Sequence, residues 1–252
     1  MNRALRRRVP WAPPSTWQRG DAPPTVVAVP GLGLSVDGWR GPGLVISGMR
    51  ETGFAVVALP AHGLPARHGD PLDPGASAGR LLARLDDLGA GPVALLGHSA
   101  SSQVVVEAAR REPERVTSLV LVGPTTDPRA PTWPRLAGRW LATAAHERLG
   151  QVPLLVRDYG HTGLGTFARA MDAARRRPLA PVLAELDHPV LLVRGPHDRI
   201  APQAWHDDLV AWRPGIETVT LPAGGHMVPV THPHDLAVAV VPFLARHAAA
   251  SP

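Results

Sequence analysis

The serine at position 99 stands where a side chain can act as a nucleophile. Residues 93–96 are apolar, residues 97–101 read GHSAS, and a helical pattern of small and apolar residues follows from Val104. A buried strand that turns sharply into a helix strains the serine backbone and exposes its hydroxyl. The pattern therefore predicts a strand–turn–helix elbow at Ser99, although Ser101 replaces the second glycine of Gly-x-Ser-x-Gly. A serine that only caps its helix is the alternative interpretation.

A serine hydroxyl is a weak nucleophile that needs a base, and the base needs a carboxylate to orient it. His226 follows the last predicted strand in a Gly-Gly loop, and Asp198 follows the strand before it in a turn. Both fall at the carboxyl edge of a parallel sheet, the edge that also carries Ser99. The order Ser, Asp, His along the chain is typical of hydrolases with such an elbow. The rival acid is Asp127, which follows the strand at 116–122.

Two backbone amides are candidates for stabilising the oxyanion that forms when a serine attacks a carbonyl. The helix that starts near Ser99 directs its free N–H groups and its dipole toward such an oxygen, and Ala100 is the natural donor. A second Gly-rich turn, residues 31–33, follows the first predicted strand and offers the amide of Leu32. The same Gly-x-Gly could open a dinucleotide site, but Val36 stands where that site needs a third glycine.

The composition excludes several other kinds of chemistry. The 252 residues include no cysteine, and all 26 basic residues are arginine. A cysteine nucleophile, a thiolate metal site and a lysine Schiff base are therefore ruled out. The net charge is +5, but the arginines are scattered and aromatic residues make up only 4%, which disfavours nucleic-acid binding. His232, His234 and Asp235 are typical of a capped helix start, so we expect no metal site there.

Six short apolar runs rich in β-branched residues mark the chain, and helical patterns lie between them. The runs do not alternate between apolar and polar residues, so they predict strands buried on both faces, as in a parallel sheet. Alternating strands and helices imply right-handed βαβ units. The predicted strands cover residues 25–30, 54–59, 93–96, 116–122, 190–193 and 217–221. The predicted helices cover residues 39–52, 76–88, 101–111, 202–212 and 234–247.

The alternation stops between the fourth and fifth predicted strands. A loop rich in proline and threonine is followed there by helix-like stretches, and no strand pattern appears. A chain of this length fits one domain that carries an insertion. We therefore expect an α/β core at residues 25–124 and 182–252, a mostly helical cap at residues 125–181, and a loosely ordered leader at residues 1–24.

The N-terminal segment carries no sign of an export signal. It is basic and rich in proline, with three arginines at positions 6–8, and it lacks the apolar core of a signal peptide. No apolar stretch in the sequence reaches the roughly 18 residues that a membrane span needs. The sequence therefore predicts a cytoplasmic protein without a membrane partner.

Taken together, these segments resemble the α/β-hydrolase family. Residues 58–63 read ALPAHG and are similar to the family's Asp-x-Pro-Gly-His-Gly without its Asp, and Pro30 stands where the family often has His. The turn that ends at Asp198 and the Gly-His pair at 225–226 match the family pattern well. The resemblance covers both parts of the predicted core, as far as residue 248, and the remaining segment falls where the family places its cap.

The resemblance implies an α/β-hydrolase fold, a mostly parallel sheet flanked by helices, with a catalytic triad and no cofactor. Ser99 would attack a carbonyl, His226 would take its proton, and Asp198 would orient the imidazole. The amides of Leu32 and Ala100 would bind the oxyanion, and water would resolve the acyl-enzyme. The expected activity is hydrolysis of a carboxylic ester, a thioester or a lactone.

Two other classes of function stay open at this point. The same fold and triad also serve C–C bond hydrolases, cofactor-free oxidative enzymes, and lyases or cyclases, so the fold does not fix the reaction. A non-catalytic small-molecule binding protein is a further alternative, because Pro30 and Ser101 depart from the family pattern. An intact triad argues against this last alternative.

Apolar side chains of the predicted cap are candidates for a substrate pocket. Tyr159, Phe167 and Met171 recur at helix-like spacing. We expect them to form a roof over Ser99 that excludes water and selects a small-molecule substrate with an apolar acyl group. His98, next to the nucleophile, completes the expected set of substrate-binding residues. The alternative interpretation is that the three cap residues only fill a small core of the cap itself.

Overall fold

A seven-stranded sheet organises residues 15–247, the part of the chain that the computed structural model describes. Its strands are β1 (Thr16–Arg19), β2 (Val26–Val29), β3 (Phe54–Val57), β6 (Val93–His98), β7 (Val116–Val122), β8 (Val190–Arg194) and β9 (Glu217–Thr220). A separate pair of two-residue strands consists of β4 (Leu59–Pro60) and β5 (Gly63–Leu64). The main sheet has the order β1-β3-β2-β6-β7-β8-β9, and every neighbouring pair is parallel except β1 and β3. The predicted mostly parallel sheet is confirmed.

Helices flank the sheet and fill the chain between β7 and β8. The core helices are α1 (Asp37–Arg50), α2 (Pro74–Asp87), α3 (Ser101–Arg111), α8 (Gln203–Trp212), α9 (Val228–Thr231) and α10 (Pro233–His247). Between β7 and β8 the chain forms α4 (Trp133–Ala144), α5 (Val152–Thr162), α6 (Leu164–Arg175) and α7 (Leu179–Ala184). Within residues 15–247, no helix combines the length and the apolarity that crossing a membrane requires.

The inner strands β2, β3, β6, β7 and β8 are buried, which explains their apolar runs, whereas the edge strand β9 is largely exposed and the expectation that it is buried on both faces is wrong. In β2, Val27 and Val29 face the core that α2 and α3 cover, while Val26 and Ala28 face the core under α1 and α10. Successive residues of a strand point to opposite faces of the sheet. Full burial of a valine or leucine side chain stabilises the fold by about 1.5–3 kcal/mol. In a strand with an apolar layer on each side, an apolar residue at every position therefore stabilises the fold.

One strand lies where the sequence predicts loose order. β1 pairs antiparallel with β3 along its whole length. Trp17 of β1 packs against the ring of Phe54, with centroids 6.3 Å apart. The expectation of a loosely ordered leader at residues 1–24 is therefore wrong for this strand, and residues 1–14 lie outside the described part of the chain. An edge strand that is only half covered has no continuous apolar run, so it lacks the signal that marks the inner strands.

The segment expected to form a cap is helical, and its last helix returns to the core. α5 contacts α6 and β5, whereas α7 packs against α3 and α8. Leu179 and Leu183 of α7 belong to the apolar core on the α2 and α3 face of the sheet. The expected boundary at residue 181 therefore falls inside a helix that is part of the core packing.

Candidate active site

Ser99 lies at a strained turn between β6 and α3. β6 ends at His98, α3 begins at Ser101, and the Ser99 backbone adopts a φ of 57°, in the left-handed region that most non-glycine residues avoid. Holding a residue there costs about 1–3 kcal/mol. The Ser99 amide donates to the Val122 carbonyl oxygen at 2.8 Å, which anchors the turn to the end of β7. The structure thus contains the strand–turn–helix elbow that the sequence predicts.

Ser101 replaces a glycine of the expected elbow motif without disturbing the turn. The close approach of strand and helix is made at Gly97, where a Cβ would lie 2.8 Å from the Ser101 carbonyl oxygen. The buried Ser101 hydroxyl accepts a hydrogen bond from the His98 amide at 2.7 Å and donates to the Val29 carbonyl oxygen at 2.8 Å. This side chain joins the end of β2 to the elbow, which a glycine could not do.

His226 and Asp198 form a buried hydrogen-bonded pair at the same edge of the sheet. His226 Nδ1 lies 2.8 Å from Asp198 Oδ2. Asp198 Oδ1 accepts hydrogen bonds from the amides of Ile200 and Ala201, at 2.8 and 2.9 Å. A carboxylate held in this way fixes the tautomer of the imidazole, so that Nε2 of His226 is left as the proton acceptor.

The pair shifts the pKa of each of its members. Burial tends to lower the pKa of His226, but the charge of Asp198 and the hydrogen bond to it outweigh burial and raise that pKa above its ordinary value. Burial tends to raise the pKa of Asp198, yet His226 and the two amides hold that pKa below its ordinary value. At neutral pH the Asp198 carboxylate is therefore charged and can stabilise an imidazolium.

Gly123, directly after β7, leaves room for this pair. Its φ is 53°, and a Cβ there would lie 2.9 Å from His226 Nδ1 and 3.0 Å from Asp198 Oδ2. Any side chain at this position would push into the hydrogen bond between the two residues. Sequence reasoning missed this requirement, although a glycine at the carboxyl end of the strand next to the elbow is a signal for it.

The rival acid, Asp127, is engaged elsewhere. Its Oδ2 pairs with Arg139 of α4 at 2.7 Å, and its Oδ1 accepts a hydrogen bond from the Arg129 amide at 2.8 Å. Nδ1 of His226 meets Asp198 instead. Asp127 therefore ties α4 to the loop after β7, and Asp198 is the acid that orients the histidine.

The amides of Leu32 and Ala100 are available to a negatively charged oxygen. Within residues 15–247, neither amide donates a hydrogen bond to the protein. Ala100 directly precedes the first residue of α3, where the helix has unpaired N–H groups. The side chains of Leu32 and Ala100 belong to the same buried apolar cluster, so both residues lie in the region beside the elbow.

A cavity of about 310 Å3 opens over the elbow, and Ser99 and His226 both line it. The side chains expected to bind substrate all line it as well: His98, Tyr159, Phe167 and Met171. The other apolar residues of its wall are Gly31, Leu32, Leu34, Trp140, Ala144, Leu149, Val152, Leu155, Ile200 and Met227. The polar side chains of the wall are those of Thr143, Glu147, Arg148 and Gln151. The cavity is therefore mainly apolar and is covered by α4, α5 and α6.

His98 lines the cavity as a neutral, hydrogen-bonded side chain. Its Nε2 donates to the His226 carbonyl oxygen at 3.0 Å, and the two ring centroids are 5.0 Å apart. Burial lowers the pKa of His98 to about 3, so it adds no positive charge beside the base. His98 thus supports the position of His226, a contact that the sequence did not reveal.

Three aromatic rings connect the cap helices. Phe167 of α6 packs edge-on against Trp140 of α4 and Tyr159 of α5, with centroids 5.5 and 5.4 Å apart. Phe167 and Met171 also pack in the buried cluster that contains Leu32. The two interpretations of these cap residues are therefore compatible, because they fill the core of the cap and line the cavity at once.

Glu147 connects the cap to the loop that carries His226. Its Oε1 accepts a hydrogen bond from the Met227 amide at 2.9 Å, and its Oε2 accepts one from the Gln151 side chain at 3.1 Å. Its negative charge adds to the effect of Asp198 in raising the pKa of His226. No sequence signal marks Glu147, because its neighbours are set only when the cap folds over the sheet edge.

Comparison with known proteins places these residues in a wider family. A sequence model of the alpha/beta hydrolase family matches residues 26–240, which include Ser99, Asp198 and His226. A curated relative is the dihydrolipoyllysine-residue acetyltransferase component of the acetoin cleaving system of Pseudomonas putida, 28% identical over 255 residues. That match covers 90% of this chain, and the chain spans 65% of the length of the relative.

Solved structures share the fold at low sequence identity. E-2-(acetamidomethylene)succinate hydrolase is 19% identical with a TM-score of 0.74, covering 91% of this chain and 94% of that protein. A thermophilic esterase from Thermogutta terrifontis, solved with malate bound, is 20% identical with a TM-score of 0.72 and 93% coverage of both chains. A bromoperoxidase from Bacillus anthracis is 17% identical with a TM-score of 0.73, covering 91% and 94%. These likenesses concern the fold alone.

Proposed function

The chain belongs to the alpha/beta-hydrolase family, and on that premise we propose that it is a cofactor-independent serine hydrolase. The proposal is carried by one arrangement: Ser99, at a turn with a left-handed backbone conformation, lines the same cavity as His226. Nδ1 of His226 is hydrogen-bonded to the buried Asp198 carboxylate. A nucleophile, a base and an acid that orients the base are the parts that acyl transfer requires. The proposed substrates are carboxylic esters, thioesters or lactones.

The first half-reaction forms an acyl-serine. Ser99 Oγ attacks the substrate carbonyl carbon while Nε2 of His226 takes the hydroxyl proton. The carbonyl oxygen becomes an oxyanion that accepts hydrogen bonds from the amides of Leu32 and Ala100. The tetrahedral intermediate collapses, the bond to the alcohol or thiol breaks, and His226 gives its proton to the leaving group.

The second half-reaction restores the serine. A water molecule attacks the acyl carbon of the Ser99 ester, and His226 takes one proton from that water. The new oxyanion uses the same two amides. The Ser99 oxygen then leaves with the proton held by His226, and a carboxylic acid is released.

The lining of the cavity favours a small substrate with an apolar acyl group. Its volume of about 310 Å3 lies at the lower end of the range for small-molecule sites. Trp140, Leu155 and Phe167 are among the apolar side chains of its wall. A wall of this kind keeps water away from the oxyanion amides and so strengthens their hydrogen bonds.

Covalent labelling tests the nucleophile. A fluorophosphonate probe should label the wild-type protein, and an activated ester should give a burst of leaving group. Ser99→Ala should abolish both signals. Ser102→Ala is the matched control, because Ser102 is a buried serine of α3 outside the cavity lining, and it should keep both signals. Labelling that persists in Ser99→Ala would overturn the proposal.

A substrate panel tests the bond that is cleaved. Esters, thioesters, lactones and vinylogous diketones of matched acyl groups should be compared by kcat/KM. We expect Ser99-dependent turnover of at least one of the first three classes. Turnover confined to the diketones would assign the chain to C–C bond hydrolysis instead.

A further inference from the structure

α5 of the cap holds the loop that carries the first proposed oxyanion donor. This oxyanion loop, residues 30–36, runs from the end of β2 to the start of α1. The Thr162 hydroxyl of α5 donates to the Gly33 carbonyl oxygen at 3.2 Å. The Ser35 amide donates to Oδ2 of Asp158, also in α5, at 2.8 Å. α5 therefore binds the loop on both sides of Leu34.

The Thr162 hydrogen bond reaches the oxyanion amide through two peptide planes. The Gly33 carbonyl shares a rigid peptide plane with the Leu34 amide, which donates to the Gly31 carbonyl oxygen at 3.0 Å. The Gly31 carbonyl shares the next plane with the Leu32 amide, the proposed oxyanion donor. A hydrogen bond from Thr162 thus orients and polarises one plane, and that plane orients and polarises the second.

Asp158 fixes the same loop through a buried charge. Its side chain is fully buried, and its Oδ1 accepts a hydrogen bond from Nε of Arg157 at 2.8 Å. The Arg157 guanidinium also donates to Ser35 Oγ at 3.0 Å and to Asp37 Oδ2 at 2.7 Å. A buried carboxylate is stable only with such partners. Both of its oxygens are therefore committed to the loop or to an arginine that binds the loop.

α5 also lines the cavity. Tyr159 and Leu155, one turn apart, both belong to its wall. The Tyr159 ring lies directly on Gly33, where φ is 79° and any Cβ would overlap the ring. An acyl group that fills the cavity therefore contacts α5, the helix that also holds the oxyanion loop through Asp158 and Thr162.

We propose that Thr162 and Asp158 are positioning residues for the Leu32 amide. Thr162 orients that amide through the chain of peptide planes from Gly33 to Leu32, and Asp158 fixes the next peptide plane, that of the Ser35 amide, on the other side of Leu34. The inference rests on the proposed hydrolase function, in which Leu32 binds the oxyanion. Near Leu32, the core contributes two hydrogen bonds to the loop: the Gly33 amide donates to the Ala61 carbonyl oxygen at 2.7 Å, and the Pro30 carbonyl oxygen lies 3.1 Å from Nδ1 of His62. The glycines beside Leu32 leave its peptide free to turn once α5 no longer holds Gly33.

Thr162→Val tests the proposal, because it keeps the shape of the side chain and removes the hydroxyl. We expect kcat with an activated ester to fall about 10-fold with KM within two-fold of the wild type, since complete loss of an oxyanion donor costs about 10²–10³-fold. The inhibition constant of a trifluoromethyl ketone, which forms an oxyanion on Ser99, should rise by the factor by which kcat/KM falls. Thr162→Ser should recover most of the activity. Thr166→Val on α6, outside the cavity lining, is the matched control and should leave kcat unchanged.

Asp158 provides a second comparison that does not depend on Thr162. Asp158→Asn keeps an acceptor for the Ser35 amide and should retain more kcat than Asp158→Ala. In the proton–nitrogen-15 correlation spectrum, the amide proton resonance of Leu32 should lie further upfield in Thr162→Val than in the wild type, whether or not the assayed esters are substrates. This readout separates the positioning role from the hydrolase function. If the wild-type protein showed no Ser99-dependent turnover, only the hydrolase function would be contradicted. An unchanged Leu32 resonance, or kcat within two-fold of the wild type in folded Thr162→Val, would overturn the positioning role.

Discussion

His226 can take the Ser99 proton only while its imidazole is neutral. Asp198 and Glu147 raise its pKa above the ordinary value of 6.5, against the effect of burial. The neutral fraction of His226 therefore falls as the pH drops through a pKa above 6.5. We expect kcat/KM to be constant at high pH and to fall toward low pH with a midpoint above 6.5, measured with an activated ester whose chemistry limits the rate. A flat profile from pH 5 to 8 would contradict this assignment.

Glu147→Gln tests the electrostatic part of this prediction. The groups that face His226 are Asp198, Glu147 and His98, and burial keeps His98 neutral. Glutamine still offers an oxygen to the Met227 amide but carries no charge, so the pKa of His226 should fall and the acid limb should move to lower pH. Glu114→Gln, an exposed residue on a short turn before β7, is the control and should leave the profile unchanged. An acid limb that stays in place in Glu147→Gln would show that its charge does not act on the base.

Asparagine substitutions separate the two candidate acids. Asp198→Asn cannot hold the same imidazole tautomer, so we expect kcat to fall by about 10⁴-fold while the fold is retained. Asp127→Asn weakens the pairing with Arg139 and should lower the free energy of unfolding by about 1.5–3 kcal/mol with little change in kcat. Urea unfolding and single-turnover kinetics on both variants measure the two effects. The reverse pattern would place the acid at Asp127.

At the scale of elements, the inner strands were predictable because burial on both faces leaves an apolar run with few interruptions. β1 was not, since its pattern is that of a half-exposed edge strand. The residues of the proposed triad could be predicted because each follows a strand at one edge of the sheet. The roles of Gly123 and Thr162 could not be predicted from the sequence. Gly123 is required because it lies against the hydrogen bond between His226 and Asp198, and Thr162 has its role only because α5 packs on the oxyanion loop.

The packing of α6 on the cavity gives a prediction about specificity. Phe167 touches Trp140 and Tyr159 and lines the cavity, so Phe167→Ala should enlarge the site. We expect the ratio of kcat/KM for bulky over short acyl esters to rise by about 10-fold, the scale of one or two lost apolar contacts. Leu164→Ala on the same helix is the control, because Leu164 is 75% exposed. A loss of stability without any change in substrate ranking would mean that Phe167 serves only the core of the cap.

Across the whole molecule, the cap is bonded to three loops of the proposed site. Thr162 binds the oxyanion loop at Gly33, and Glu147 binds the loop of His226 through the Met227 amide. The Thr143 hydroxyl accepts a hydrogen bond at 3.1 Å from the amide of Arg199, next to the acid. The segment between β7 and β8 therefore completes the site as well as covering it, and changes in the cap should affect kcat as well as substrate choice.

The opposite edge of the sheet should affect stability alone. Trp17 of β1 packs against Phe54, and a Cβ on Gly43 of α1 would lie 2.7 Å from its ring. Because Trp17 is only half-buried, Trp17→Ala should lower the free energy of unfolding in urea by about 2–3 kcal/mol, less than a fully buried tryptophan. Since two strands, β3 and β2, separate β1 from β6, which ends next to Ser99, kcat should not change. Trp212→Ala, at a site 60% exposed, should cost under about 0.5 kcal/mol. Equal stability of the two variants would show that β1 adds nothing to the fold.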